Sequence, residues 1–201
     1  MGVNRDEFGE RLVFLDLETT GFSPVTCDII EIGAWLFIDG IAKYKFHMRV
    51  KPETYVTEEI RRLTGISNKD LENCESIQQV LPEFCNFCGD APICGYNVNF
   101  DYRFLCSKSR IIGYDFTLKS QRKGIDVMKC VKTCHPGLKS YKLGDVLVAL
   151  QVPFDGNNLH TALYDAYMAK LIYDRCRHVK PEYFDKSRYG TPIITDTLDF
   201  E

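Results

Sequence analysis

Two acids stand two residues apart in the apolar run "FLDLETTGF", residues 14–22: Asp16 and Glu18. Successive side chains of a strand alternate between faces, so a strand here places both carboxylates on one side, among Phe14, Leu15 and Leu17. Two like charges in apolar surroundings are costly without a counter-charge. Two more acids lie in closely packed settings. Asp101 opens a helical segment after the apolar run "APICGY", and Asp165 sits in "HTALYDAYMAKLIYDRC" on a stripe of small residues, Ala162, Ala166 and Ala169. If the four converge, divalent cations are the natural neutralisers, and an all-oxygen ligand set favours Mg²⁺ or Mn²⁺ over zinc. Two such ions about 3.5–4 Å apart form the clamp used for phosphoryl transfer. His160 adds a base to this set. It lies five residues before Asp165, about 140° away on an ideal helix, so it belongs to the turn-like lead-in "FDGNNL" rather than to the helix face. An imidazole titrates near pH 6.5 in water and suits proton abstraction. Taken one at a time, each group has a plainer reading: a solvated edge pair, a helix-start histidine, an exposed helical acid.

The elements that must position these groups are legible as patterns. "RLVFLDL", "IIEIGAWLFI" and "IAKYKFHMRV" read as three strands, the last two joined across Asp39-Gly40, a short hairpin signal. Thr57 caps a helix with Glu58 and Glu59 in its first turn. Ser76 and Gln79 form a capping box for a helix through about Phe87. "APICGY" is a further strand, and helices are expected over "NFDYRFLCSKSR", near 124–134, near 140–151 and over the segment holding Asp165. The small stripe there lets that helix lie close to a sheet. Strands first, then alternating helix and strand, predict an α/β domain with a mixed sheet, antiparallel on one side and parallel on the other.

The 201 residues suit one domain with a sizeable core, and 45% hydrophobic with 26% charged residues is ordinary for a globular protein. A formal net charge of −3 argues against a globally basic nucleic-acid binder, while leaving room for local binding through metals and a small basic patch such as Lys119, Arg122 and Lys123. Nine cysteines, an odd number, follow a polar N-terminus, which points to reduced thiols and a cytoplasmic setting. Cys85 and Cys88 have CxxC spacing and Cys130, Cys134 and His135 lie close together. No second CxxC or paired histidine element completes a zinc site of the usual spacing, so buried thiols are the expectation. No apolar stretch reaches the roughly 18–20 residues of a membrane span.

"FLDLETTGF", "GYNVNFDYRFL" and "HTALYDA", in this order and at these separations, resemble the three motifs of the DnaQ-like exonuclease family, DEDDh branch, which includes proofreading exonucleases of bacterial replication. The likeness runs over about residues 11–176, and "IIEIGA" and "VTEEIRRLTGISNKDL" resemble that group's intervening segments. The resemblance implies a ribonuclease-H-like fold, with residues 1–178 as the exonuclease domain and 179–201 as a C-terminal tail or extension. It implies metal-dependent 3′→5′ hydrolysis releasing 5′-mononucleotides, with two divalent ions on Asp16, Glu18, Asp101 and Asp165 and His160 as the general base. It places Thr19, Thr20 and Phe22 in a loop against the terminal nucleotide, Leu63 and Phe100 beside it, and Asn97 at the strand-to-helix turn that holds the substrate end. Tyr96 stands where the family usually has histidine. The partner implied is nucleic acid with a free 3′ end, single-stranded by preference, with a DNA polymerase as a further partner. An exoribonuclease trimming small RNAs is the alternative. A non-catalytic nucleic-acid-binding module is a third reading, disfavoured because all five catalytic-type residues are present. Asp126 is expected at a helix start rather than as a ligand.

Overall fold

The computed structural model describes residues 10–114 and 124–184; the basic stretch at Lys119, Arg122 and Lys123 lies outside them. Three long strands open the chain: β1 Arg11–Thr19, β2 Ile29–Ile38 and β3 Ile41–Lys51. They pair as an antiparallel meander, Asp16 opposite Gly33 and Glu31 opposite Arg49. Asp39 and Gly40 both take positive φ, 51° and 78°, the condition for the tight turn whose twist matches the strands it joins. Two short helices follow, α1 Glu58–Thr64 and α2 Asn68–Leu71, then β4 Glu75–Ser76 and α3 Ile77–Cys88. Thr57 accepts from the Ile60 N–H, and Ser76 with Gln79 closes a capping box, as the spacing predicts. Helix α2 and its own box, Ser67 with Asp70, are findings of the structure.

The second half alternates: β5 Ile93–Gly95, α4 Val98–Ile111, β6 Ile125–Asp126, α5 Val127–Cys134, α6 Leu143–Ala149 and α7 Ala162–Val179. Strands β5 and β6 add parallel to β1, giving a six-stranded mixed sheet of order β4-β3-β2-β1-β5-β6. Alternation sorts the side chains of β1. Val13, Leu15 and Leu17 enter one core with Ile32, Ala34, Phe84 and Phe104, under α3 and α4. Phe14 enters the other with Val131, Leu147, Ile172 and Tyr173, under α5, α6 and α7. Each fully buried side chain of this size contributes about 1.5–3 kcal/mol of transfer free energy.

Helix α7 lies hard against the sheet. Ala162, Asp165, Ala166 and Ala169 are all buried, and a Cβ added to Gly33 on β2 would come within 2.1 Å of the Leu163 nitrogen. The stripe of small residues and one glycine together permit that approach. Beyond α7, a short 3₁₀ turn at Pro181–Tyr183 lets Phe184 reach Tyr173, ring centroids 5.3 Å apart. The start of the expected extension is therefore packed on the core, and residues 185–201 fall outside the described part of the chain.

Candidate active site

Strand β1 carries Asp16 and Glu18 on the face that α7 covers, opposite Gly33 and Glu31 of β2. Register slips just beyond Glu18: Thr19 pairs with Ile29, so Ile30 is the extra residue. It is buried in a small separate cluster with Val56, Ile66 and Leu71. A bulge of this kind bends the strand where a side chain must be aimed.

Asp101 arrives from the other side of β1. Strand β5 is short, and its pairing with β1 ends at Phe14 opposite Cys94. Beyond that point the Leu17 N–H donates to Asp101 Oδ1 at 3.0 Å. The carboxylate thus caps a backbone donor that the parallel neighbour leaves unpaired, which fixes Asp101 beside the strand of acids. Gly95 allows the approach, since a Cβ there would lie 2.8 Å from the Leu15 carbonyl oxygen. Asn97, exposed and left-handed at φ 63°, makes the turn into α4. Asp126 takes the helix-start place expected of it, accepting from the Met128 and Lys129 N–H groups at 3.0 and 3.3 Å. Tyr96 donates its hydroxyl to the Tyr141 carbonyl at 2.7 Å.

Asp165 and His160 come from the start of α7. His160 lies outside the helix, exposed, with φ 65°. Its N–H donates to Asp165 Oδ2 at 3.1 Å. Glu18, His160 and Asp165 each offer a ligand atom, and the three atoms lie within 4.8 Å of one another. Asp165 Oδ1 is buried without a hydrogen-bond partner.

The electrostatics of this cluster are those of buried carboxylates that raise one another's pKa. Burial pushes the Glu18 carboxyl from 4.5 up to about 9, and the charges of Asp165, Glu31 and Asp101 add to the shift. Burial also drives Asp16 well above the carboxylate range, together with Asp101, Glu18, Asp165 and Glu31. Asp101 is raised by burial against the pull of the Leu17 N–H. Asp165 rises to about 6 through burial, with the His160 N–H opposing. An orphaned buried oxygen, mutually repelling carboxylates and one nearby imidazole fit hard divalent cations, which take oxygen ligands and remove the repulsion. This metal-type grouping contains no cysteine. Cys88, Cys94, Cys130, Cys134 and Cys176 are buried, and burial lifts the Cys130 thiol to about 12.

The expected substrate-side residues divide by environment. Phe22 and Leu63 are 86% and 48% exposed, large apolar groups offered to solvent. Phe100 is half-buried against Phe104, centroids 4.9 Å apart. The hydroxyls of Thr19 and Thr20 are engaged internally. Thr19 donates to the Gly21 carbonyl at 2.7 Å, while Thr20 lies 2.8 Å from the Thr54 hydroxyl and accepts from the Asp28 N–H. Asp28 in turn binds Thr54 and the buried Lys108 ammonium, at 2.7 and 2.8 Å. The two threonines therefore shape the turn that carries Phe22.

One residue of the site was missed by sequence reasoning. Glu31 is 2% exposed and its charge is felt by both Asp16 and Glu18. The available signal was a single acid inside the otherwise apolar "IIEIGAWLFI", paired in register with Glu18.

Comparison with known proteins identifies the family of the chain. The RNase T family profile, described as exonuclease, matches residues 13–173. DNA polymerase III subunit epsilon of Aquifex aeolicus is 33% identical over 80% of this chain and 77% of its own length. DNA polymerase III PolC-type of Thermotoga maritima is 37% identical over 96% of this chain, which spans 14% of that much longer relative. Among solved structures, E. coli exonuclease I in complex with a dT13 oligonucleotide superposes with a TM-score of 0.77 at 18% identity, covering 88% of this chain and 43% of that one. That likeness is one of fold, and it is the ribonuclease-H-like architecture expected from the motifs. No helix among the described residues is long and apolar enough to cross a membrane.

Proposed function

The chain belongs to the DnaQ-like 3′→5′ exonuclease family, and on that premise we propose that it hydrolyses the terminal phosphodiester at free 3′ ends of DNA, releasing 5′-mononucleotides. The observation that carries this reading is the convergence of Glu18, Asp165 and His160 within 4.8 Å beside a buried, unpartnered Asp165 oxygen. Asp16, Glu18, Asp101 and Asp165 are the residues to hold two divalent cations, Mg²⁺ or Mn²⁺. When bound, these supply neutralisation of the phosphodiester charge and activation of a water nucleophile.

His160 accepts a proton from the attacking water as its oxygen bonds to phosphorus. The bond from phosphorus to the 3′ oxygen of the preceding nucleotide breaks, and that oxygen takes a proton from solvent to become the new 3′ hydroxyl, while His160 returns its proton to solvent. His160 suits the task because it sits outside the helix, on the solvent side of the cluster, with only its backbone tied to Asp165. Asp165 and Asp101 are held by backbone N–H groups, which keeps the acids in place while substrate enters and leaves. Phe22 and Leu63 give stacking and wedging surface to the last bases, contacts that read no sequence. Phe100, half-buried against Phe104, adds to that surface beside the last nucleotides, and Asn97 holds the turn next to the substrate end.

DNA is favoured over RNA because relatives such as those of T. maritima and A. aeolicus carry the names of DNA polymerase III proteins. A DNA polymerase is accordingly the protein partner this reading names, supplied as a separate chain or as the remainder of a longer one.

The test uses the full chain with matched linear DNA, circular single-stranded DNA and RNA, in EDTA and then in Mg²⁺ or Mn²⁺. Metal-dependent release of mononucleotides from linear DNA, faster on unpaired than on paired ends, is expected. Undiminished hydrolysis in EDTA would overturn the metal assignment. Cleavage of circles at the linear rate would make it an endonuclease, and a faster rate on RNA would replace the substrate.

A further inference from the structure

The start of an α-helix leaves four N–H groups without intrahelical partners, and a side chain of the N-cap residue ordinarily satisfies one of them. At α7 the N-cap is Thr161, and its side chain makes no cap bond. Its hydroxyl donates instead to the Asn158 carbonyl at 2.7 Å. The cap comes from another element: Glu31 Oε2, on β2, accepts from the Ala162 N–H at 2.9 Å, and the bond is buried. The other oxygen of Glu31 is held from β3. His47 Nε2 lies 3.0 Å from Oε1 and Arg49 Nε lies 3.6 Å from it. Both side chains are about half exposed, 44% and 45%, while the Glu31 side chain is 3% exposed.

Each contact of Glu31 has a consequence at the cluster. Ala162 is the first residue of α7, one step from the lead-in that carries His160 and three from Asp165. A carboxylate at a helix N-terminus is also favoured by the helix dipole. Glu31 is absent from the group of ligand atoms that come within 4.8 Å of one another, and both its oxygens are already occupied. We infer that Glu31 is a positioning residue: clamped to β3 by His47 and Arg49, it seats the first turn of α7 on the sheet and so sets where Asp165 and His160 stand relative to Glu18. Gly33, two residues along the same face of β2, leaves the space in which this seating occurs.

The inference rests on the exonuclease reading only for its activity arm. The experiment compares wild type with E31A, E31Q and E31D at a temperature well below unfolding. It measures kcat and KM on a dT10 oligonucleotide, Mn²⁺ affinity by calorimetry, and hydrogen exchange at the Ala162 amide. Loss of a group that orients a metal ligand typically costs 10–100-fold in metal affinity or activity. That loss is expected of E31A in both kcat and Mn²⁺ affinity, with KM within about twofold and Ala162 exchange accelerated. E31Q keeps an oxygen that accepts from Ala162 and should recover most of each quantity. E31D keeps the charge but is one methylene short, so it should fall with E31A, and it decides the matter if E31A does not fold. Wild-type exchange and Mn²⁺ affinity in E31D overturn the inference. E31Q losing Mn²⁺ as severely as E31A overturns it too, because Glu31 would then be a ligand itself. If the wild type degrades no nucleic acid while E31D still loses Mn²⁺ affinity and Ala162 protection, the exonuclease reading fails and the positioning role stands.

Discussion

Replacing Glu18 by Gln should make the metal-free protein more stable at neutral pH, although it removes a proposed ligand. Burial, then Asp165, Glu31 and Asp101, raise the folded-state pKa of Glu18 from 4.5 to about 9. A raised folded pKa means that the folded state keeps a proton which the unfolded chain releases. The associated stability is fully present below pH 4.5 and is lost progressively as pH rises toward 9. At about pH 7.5 the unfolded chain gains roughly 1.4 kcal/mol for each of about three pH units, a ceiling of about 4 kcal/mol. The neighbouring acids share protons with Glu18 and absorb part of it, so about 2–4 kcal/mol is expected from the substitution. For a domain of this size that is roughly 4–16 °C in Tm. The assay is thermal unfolding in EDTA at about pH 4.5 and pH 7.5, repeated in excess Mn²⁺. E18Q should melt above wild type at the higher pH and alongside it at the lower. With Mn²⁺ the gap should narrow or close, because only wild type gains the full binding free energy, about 2.7 kcal/mol at a hundredfold excess over Kd. An E18Q protein less stable than wild type at pH 7.5 in EDTA would refute the picture of a repulsive, cation-seeking cluster.

His160→Asn is the substitution of choice at the proposed base, since asparagine tolerates the left-handed φ of 65°; single-turnover hydrolysis should fall about 10²–10⁴-fold with Tm unchanged, and a rate within threefold of wild type would place the base elsewhere. Phe22→Ala and Leu63→Ala should raise KM for oligonucleotides, with Tm unmoved for Phe22, which is largely exposed, and lowered only slightly for the half-exposed Leu63; steady-state kinetics at varied oligonucleotide concentration checks this, and unchanged KM in both removes them from the substrate path. Gly33→Ala drives a methyl toward the Leu163 backbone, 2.1 Å away, and should cost about 1–3 kcal/mol as overpacking does while lowering kcat through displaced Asp165; wild-type Tm in urea or thermal unfolding would contradict the close seating of α7.

Much of the scaffold was written in local pattern. The three opening strands, the Asp39-Gly40 turn, the Thr57 cap and the Ser76–Gln79 box depend on alternation, positive φ and side chain-to-backbone reach within four residues, all local properties of the chain. The small stripe of α7 announced a close contact, since only small side chains let a helix backbone approach a sheet. The acids and His160 were nameable as types at spacings, and their motif order carried the family.

What no single segment could state is which groups meet. Asp101 reaches Leu17 across 84 residues because β5 stops short and leaves an N–H to be capped. Glu31 reaches Ala162 across 131 residues because register places it opposite Glu18, under the end of α7. The hydroxyls of the threonines in "LETTG" close the turn on itself and leave Phe22 outward, a partnership with Gly21 and Thr54 that the segment alone does not state. Strand register, the length of a neighbouring strand and the seating of a helix are outcomes of packing the whole core. They bring carboxylates together that repel one another locally, at a cost the rest of the fold must offset and that a bound cation removes.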